Sequence, residues 1–354
     1  METLKNILKY RGLKFWVSYD MHMYMLTLFY ILLVDGVFDL MSLLLLLSTY
    51  TYGVYGFLVN DYFDMKYDIL AGKIRSVQMM SRRFVIAWIV ILSITCMVFL
   101  IFLKNILFSI VYLISFVLAF YYSAPPVRFK IRGFLGLFVN CLIEKTLMTL
   151  AIFCYFNHFG IDTIVFIIAS FFLHLTDIYT HQIYDYELDL KTRVKTFVVK
   201  IGLEKALTIY YKIICPVTFF IAILLVVVIC VGIPQSTVIV VISSLIYGFG
   251  SIYIYRGKLH RKEEVVPLYI SGVYFLIHNM MPVFLAFLLL IRYSPYAPLF
   301  ILVLISQYYT IKYKIVKPIF HRVIPHVEVF EHDNTTKNFK TNINLRDEKT
   351  RREI

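Results

Sequence analysis

Ten apolar stretches, at about 16–34, 39–59, 84–103, 106–122, 134–156, 161–179, 209–232, 237–254, 268–291 and 298–315, leave this chain few ways to fold. Each is long enough, or nearly so, to cross a hydrocarbon layer ~30 Å thick as a helix. Of the 354 residues, 60% are hydrophobic and only 16% charged, a balance no soluble core would need. The expected class is therefore all-α, a polytopic membrane protein.

Basic residues alternate between the connections. Lys5, Lys9, Arg11 and Lys14 precede the first stretch, and Lys66, Lys73, Arg75, Arg82 and Arg83 follow the second. Arg128, Lys130 and Arg132 follow the fourth, Lys191, Arg193, Lys195, Lys200 and Lys205 the sixth, and Arg256, Lys258, Arg261 and Lys262 the eighth. The other connections hold only Lys104 and Arg292. The positive-inside rule then puts both termini and the basic loops in the cytoplasm. So distributed, the net charge of +13 is a topology signal with some attraction to anionic lipid headgroups, and nucleic acid is not an expected partner. The five cysteines all fall within apolar stretches without a CxxC pair, which suits packing. The expected organisation is a membrane domain over 1–315 and a polar cytoplasmic tail over 316–354 with no part in chemistry.

Two acidic ladders stand out at the ends of apolar stretches. Asn60, Asp64 and Asp68 recur every fourth residue, as do Asp177, His181, Asp185 and Asp189, so each set shares one helical face. Packed carboxylates repel, and beside a membrane they are tolerable only with something cationic between them. Hard oxygen ligands in small numbers suit Mg²⁺ that keeps coordination positions for substrate phosphates, which implies a diphosphate substrate. Two such loops facing each other across one cavity would give two metal sites for one diphosphate.

These residues resemble the UbiA-type intramembrane prenyltransferase superfamily. The likeness is carried by both ladders, by Tyr122-Ser-Ala-Pro125-Pro126-Val-Arg128-Phe-Lys130, by the segment from Lys195-Thr196-Phe197 to Gly202, and by Arg75 in a region where the family usually has Arg-Pro. Ser76 follows Arg75 here, Arg193 replaces a frequent Gly, His181 a frequent Tyr, and a tenth span extends the usual nine.

The fold expected is a ring of nine to ten transmembrane helices around a central cavity, and the resemblance implies a side opening through which a prenyl chain enters from lipid. Asn60, Asp64, Asp68, Asp185 and Asp189 are the expected ligands of two Mg²⁺ ions, and the four aspartates with His181 form the candidate catalytic set. Asp61 and Asp177 are neighbouring support. Arg75, Arg128 and Lys130 are expected to hold the departing pyrophosphate. His181 is open to three roles: ligand of a metal water, proton acceptor, or packing replacement for Tyr.

The expected activity is transfer of a prenyl group from a prenyl diphosphate to an aromatic, quinone-precursor or lipid acceptor. A terpene cyclase using the same diphosphate-ionising site is the alternative. A secondary transporter fits less well, since its carboxylates belong at the membrane midplane rather than at helix ends. Asp20, His22, Glu144, Lys145, His174, His278 and Asn279 lie inside the spans, as either a polar patch for the acceptor or interhelical hydrogen bonds.

Overall fold

A computed structural model of the chain describes residues 7, 9–70, 72–192, 194–255 and 265–311. The tail expected at 316–354, Arg193 and the basic residues at 256–262 lie outside the described residues. Up to Ile311 the chain forms one compact unit, all helix and turn, with no strand among the described residues.

Each apolar stretch becomes a rod: α1 (Tyr19–Val34), α2 (Met41–Leu70), α3 (Arg82–Leu103), α4 (Ile106–Ser123), α5 (Phe134–Phe156), α6 (Ile161–Tyr184), α7 (Leu203–Gly232), α8 (Ser236–Tyr255), α9 (Leu268–Arg292) and α10 (Ala297–Ile311). Among the described residues eight helical spans are long and apolar enough to cross a membrane, the first of them counted from Arg11 to Val34. Side-chain caps fix several starts. Ser18 accepts from Met21 N at 3.2 Å, Ser81 from Phe84 N at 3.3 Å and Asn105 from Phe108 N at 2.8 Å, each satisfying an otherwise unpaired first-turn amide.

The rods close a circuit. α2 packs on α3 and α4, α4 on α5, α5 on α6, α6 on α7, α7 on α8 and α9, and α9 returns to α1. α1 itself is enclosed, with every side chain from Met21 to Leu33 buried against α2, α5, α6 and α9. A helix thus shares the middle of the ring with the cavity. The reason is polar: α1 carries Asp20, His22 and Thr27, which hydrocarbon cannot satisfy. His22 Nε2 meets Ser306 Oγ of α10 at 2.6 Å, and Thr27 donates to the Met23 carbonyl at 2.8 Å. By contrast α3, α4 and α7 turn bare apolar side chains outward, among them Ile91, Ile101, Ile106, Phe220 and Val231.

The end of the bundle away from the ladders is tied by a second polar group. His158 contacts Asp35 Oδ1 at 2.8 Å through Nδ1 and Asp162 Oδ2 at 2.7 Å through Nε2, and Tyr30 donates to the same Asp162 oxygen at 3.0 Å. Tyr155 donates to Asp39 Oδ2 at 3.1 Å, and Arg292 to the Leu33 carbonyl at 3.1 Å. Burial opposes a charge on His158, but the hydrogen bonds and charges of Asp162 and Asp35 outweigh it and raise its pKa above the ordinary 6.5. A histidine whose folded pKa is raised contributes stability that is fully present below the unfolded value and lost as pH rises through the folded one. The melting temperature in detergent should therefore fall as pH rises above the ordinary 6.5 and through the raised folded-state pKa of His158, and His158→Gln should flatten that part of the profile. An unchanged slope in the variant would remove His158 as its source.

Candidate active site

The first ladder occupies the last turns of α2, where the unpaired carbonyls of the helix end already repel anions. The carboxylates there are held by cations from two loops. Arg75 Nε donates to Asp68 Oδ2 at 3.3 Å, Arg128 Nη2 to Asp64 Oδ1 at 3.4 Å, and Lys130 is bonded to Asp64 Oδ2. Asn60 Oδ1 accepts from Ser123 at 2.9 Å and lies 3.5 Å from the Lys130 amine.

Two backbone features aim Arg128 and Lys130. After the cis Pro125-Pro126 peptide, Arg128 takes a left-handed conformation (φ 42°), a cost of about 1–3 kcal/mol that its partners offset. Its guanidinium sits 4.3 Å from the Tyr67 ring centre and donates to the Tyr67 hydroxyl at 2.7 Å. The Phe129–Ile131 turn lies directly on Gly136 of α5, where an added Cβ would come within 2.4 Å of the Phe129 carbonyl oxygen.

The second ladder is not one continuous rod. α6 stops at Tyr184, Asp185 leaves helical geometry (φ −86°, ψ 0°), and a short helix, Tyr186–Lys191, carries Asp189. The Asp189 amide still bonds the Asp185 carbonyl at 2.8 Å, which keeps the two carboxylates one turn apart. Thr196 donates to Asp189 Oδ2 at 3.1 Å. Burial pushes the Asp189 carboxyl up to about 6; the Thr196 hydrogen bond opposes this and the neighbouring Asp185 charge adds to it. Lys73, in the loop after α2, reaches Asp185 Oδ2 at 3.4 Å and so joins the two ladders.

Asn60, Asp64, Asp68, Arg75, Arg128, Lys130, His181, Asp185 and Asp189 all line one cavity of about 390 Å³. Asp61 and Asp177 do not. Asp61 is turned to Arg11, whose Nε donates at 3.0 Å, and Asp177 to Lys145 at 2.9 Å. Asp177 and His181 do share a face of the continuous α6, but the buried Lys145 engages the Asp177 carboxylate, so that only His181 of the two lines the cavity. Sequence reasoning gave no site role to Lys73, Tyr67, Thr196 or Arg11. Lys73 had read as topology signal, and nothing in the spacing links Arg11 to a residue fifty positions on.

The inner end of the cavity is polar too. Midway along α5 the chain makes a π-helical turn, Leu142–Thr146, which frees carbonyls from their usual partners. Tyr52 donates to the Ile143 carbonyl at 2.9 Å and Tyr24 to the Glu144 carbonyl. Lys145, fully buried, lies 3.6 Å from Asp20 Oδ1 besides its bond to Asp177. His174 Nε2 bonds Asn140 Oδ1 at 2.8 Å, and its Nδ1 lies 3.3 Å from Asp20 Oδ1. Asp20, Asn140, Glu144 and His174 all line the cavity. Gly56 lines it as well, with open space where a Cβ would stand.

A family model for the UbiA prenyltransferase family matches residues 23–273. The chain belongs to the UbiA prenyltransferase family. It is an integral, multi-pass membrane protein and a prenyltransferase. Two structures of a UbiA homolog from Archaeoglobus fulgidus share its fold at 20% identity. The one bound to GPP and Mg²⁺ has a TM-score of 0.56, with 77% of this chain and 97% of that one covered. The one bound to DMAPP and Mg²⁺ has a TM-score of 0.55 over 78% and 97%. A digeranylgeranylglyceryl phosphate synthase structure is similar at 18% identity and a TM-score of 0.50, over 80% and 98%. No curated protein matches the chain in sequence.

The donor set of this UbiA family member suits Mg²⁺ in its chemistry. Four carboxylates and an amide oxygen meet on one cavity whose lining includes no thiol. Among the described residues no three Asp, Glu, His or Cys side chains converge as a finished ion site. Each ladder carboxylate is instead held by a lysine, arginine or threonine.

Lys145 is the strongest structural constraint at the inner end. Removing one partner of a buried ion pair costs about 3–5 kcal/mol, because the remaining charge stays uncompensated. Lys145→Met should lower the melting temperature in detergent well below that of the wild type, and the double variant Lys145→Met/Asp177→Asn should recover part of the loss. A melting temperature equal to wild type for Lys145→Met would mean that Asp20 and Asp177 do not depend on it.

Proposed function

We propose that this protein is a Mg²⁺-dependent intramembrane prenyltransferase, moving a prenyl group from a prenyl diphosphate to an aromatic, quinone-precursor or lipid acceptor. The observation that carries the reading is the joining of both acidic ladders on one cavity, with Lys73 bridging from the first loop to Asp185 of the second. Asn60, Asp64, Asp68, Asp185 and Asp189 would hold two Mg²⁺ ions, which when bound supply charge to neutralise the departing pyrophosphate.

This chain's own residues do the rest. Arg75, Arg128 and Lys130, already oriented by the ladder carboxylates, meet the diphosphate oxygens, and Lys73 joins them from the opposite side. The C1–O bond breaks with its electron pair leaving on pyrophosphate, and the acceptor bonds to C1. Preorganised charge of this kind is worth about 2.7–4 kcal/mol per contact. Tyr24, Tyr52, Phe57 and Tyr122 line the cavity beyond the ladders and offer ring faces to the allylic cation. Asp61 and Asp177 act from behind, as the partners that fix Arg11 and Lys145. His181, lining the same cavity between the ladders and the inner end, is placed to meet substrate.

Sidedness follows from charge. Contacts between the loops after α2, α4 and α6 put their basic residues at one end of the bundle with both ladders, while Asp35, Asp39 and Asp162 gather at the other. The ladder end is accordingly cytoplasmic, with residues 1–315 as the catalytic domain and 316–354 as a tail outside the chemistry.

Purified protein should form prenylated product from a prenyl diphosphate only with Mg²⁺ or Mn²⁺, and excess EDTA should abolish turnover. Asp64→Asn, Asp68→Asn, Asp185→Asn and Asp189→Asn should each lower turnover by roughly 10² or more while the protein still folds. Wild-type rates in two of the four, or full turnover in verified absence of metal, would overturn the assignment.

A further inference from the structure

The inner end of the cavity holds one group that the ion pairs around it leave unused. Glu144 lies near the middle of α5, and its carboxylate has neither hydrogen bond nor ion pair among the described residues, although it lines the cavity. A carboxylate at this depth without a partner is costly unless it meets something from the cavity side. The local fold is built to present it. The π-helical turn is secured through backbone carbonyls, by Tyr24 and Tyr52, so nothing in the packing engages the Glu144 side chain. Glu144 and the ladder residues line the same cavity, with Tyr122 between Glu144 and Asp64.

The charge around Glu144 is specific. Lys145, behind the cavity wall, is paired with both Asp177 and Asp20, and Arg11, which does line the cavity, is held by Asp61 through both its Nε and Nη2. Asp20, Asp177 and Glu144 thus stand against the single ammonium of Lys145 at this end, and the imidazole of His174 is already engaged by Asp20 and Asn140. An acidic acceptor would be repelled there, whereas a neutral hydroxyl compound finds a hydrogen-bond acceptor.

The geometry points to Glu144 as the proton acceptor of an acceptor-binding subsite that takes an uncharged phenol or hydroquinone and rejects aromatic acids. This rests on the prenyl-transfer reading above. As the C1–O bond of the prenyl diphosphate breaks and pyrophosphate leaves with the electron pair, the acceptor's carbon or oxygen bonds to C1. The proton that the acceptor loses passes to the Glu144 carboxylate and from there to water.

The test uses the full chain in detergent with geranyl diphosphate and Mg²⁺, and offers hydroquinone or 2,5-dihydroxybenzoate, which differ by one carboxylate. The wild type should prenylate hydroquinone with kcat/KM at least tenfold above the acid. Glu144→Gln should lower kcat for hydroquinone at least tenfold, narrow the ratio between the two acceptors, and leave geranyl diphosphate binding and the melting temperature unchanged. Glu144→Asp should recover part of the rate. Equal or better use of the acid by the wild type, an unaltered rate and ratio in Glu144→Gln, or prenylation of neither compound by a protein that binds geranyl diphosphate would overturn the subsite alone. Failure of the wild type to bind geranyl diphosphate would instead strike the prenyl-transfer reading and take this one with it.

Discussion

Carboxylates crowded at the end of an apolar helix are the constraint from which the rest of this structure follows. The α2 terminus repels them through its own carbonyls, and the bilayer beyond offers nothing to screen them. Only neighbouring cations make the arrangement stable, and the chain supplies these from loops distant in sequence: Arg75 for Asp68, Arg128 and Lys130 for Asp64, Lys73 for Asp185. Those pairings bring the connections after α2, α4 and α6 to one place. The same cations that make the apo site stable are the ones a polyphosphate would need, so stability of the resting protein and readiness for substrate draw on one set of charges.

The interior obeys the same rule at lower dielectric. Lys145 is tolerated in the middle of α5 because Asp20 and Asp177 close around it, and α1 is enclosed because it brings polar groups that lipid would not accept. Placement of helices in this bundle is thus decided less by apolar surface, which lipid and protein satisfy equally, than by where each polar side chain can find a partner.

That rule explains what could be read from the sequence. Long apolar stretches give the helices, since no other backbone arrangement satisfies itself in hydrocarbon, but not all their ends: α2 runs on from about 59 to Leu70 and carries the first ladder. The fourfold spacing gives the ladders, because it reports a helix face directly, and nine of the expected site residues do line one cavity. What escaped was pairing across the fold. Asp177 shares its spacing with His181 but answers to Lys145; Asp61 reads as support beside the first ladder but answers to Arg11; Lys73 sits among topology lysines yet joins the two halves of the site. The π-helical turn in α5 has no signature in composition, and it alone settles which carbonyls near Glu144 face a tyrosine. The break of α6 at Asp185 is equally silent, since Tyr-Asp-Tyr there reads as uninterrupted helix.

Gly56 gives the cavity an adjustable wall. It stands one turn before Asn60 on α2, and the space beside it is empty to at least 4 Å from where a side chain would begin. A larger residue at that point would project into the cavity without meeting another side chain or displacing a ladder residue. If the prenyl diphosphate binds as proposed, with its chain against this wall, the length accepted could change by single substitutions at one position, independently of the chemistry at the diphosphate.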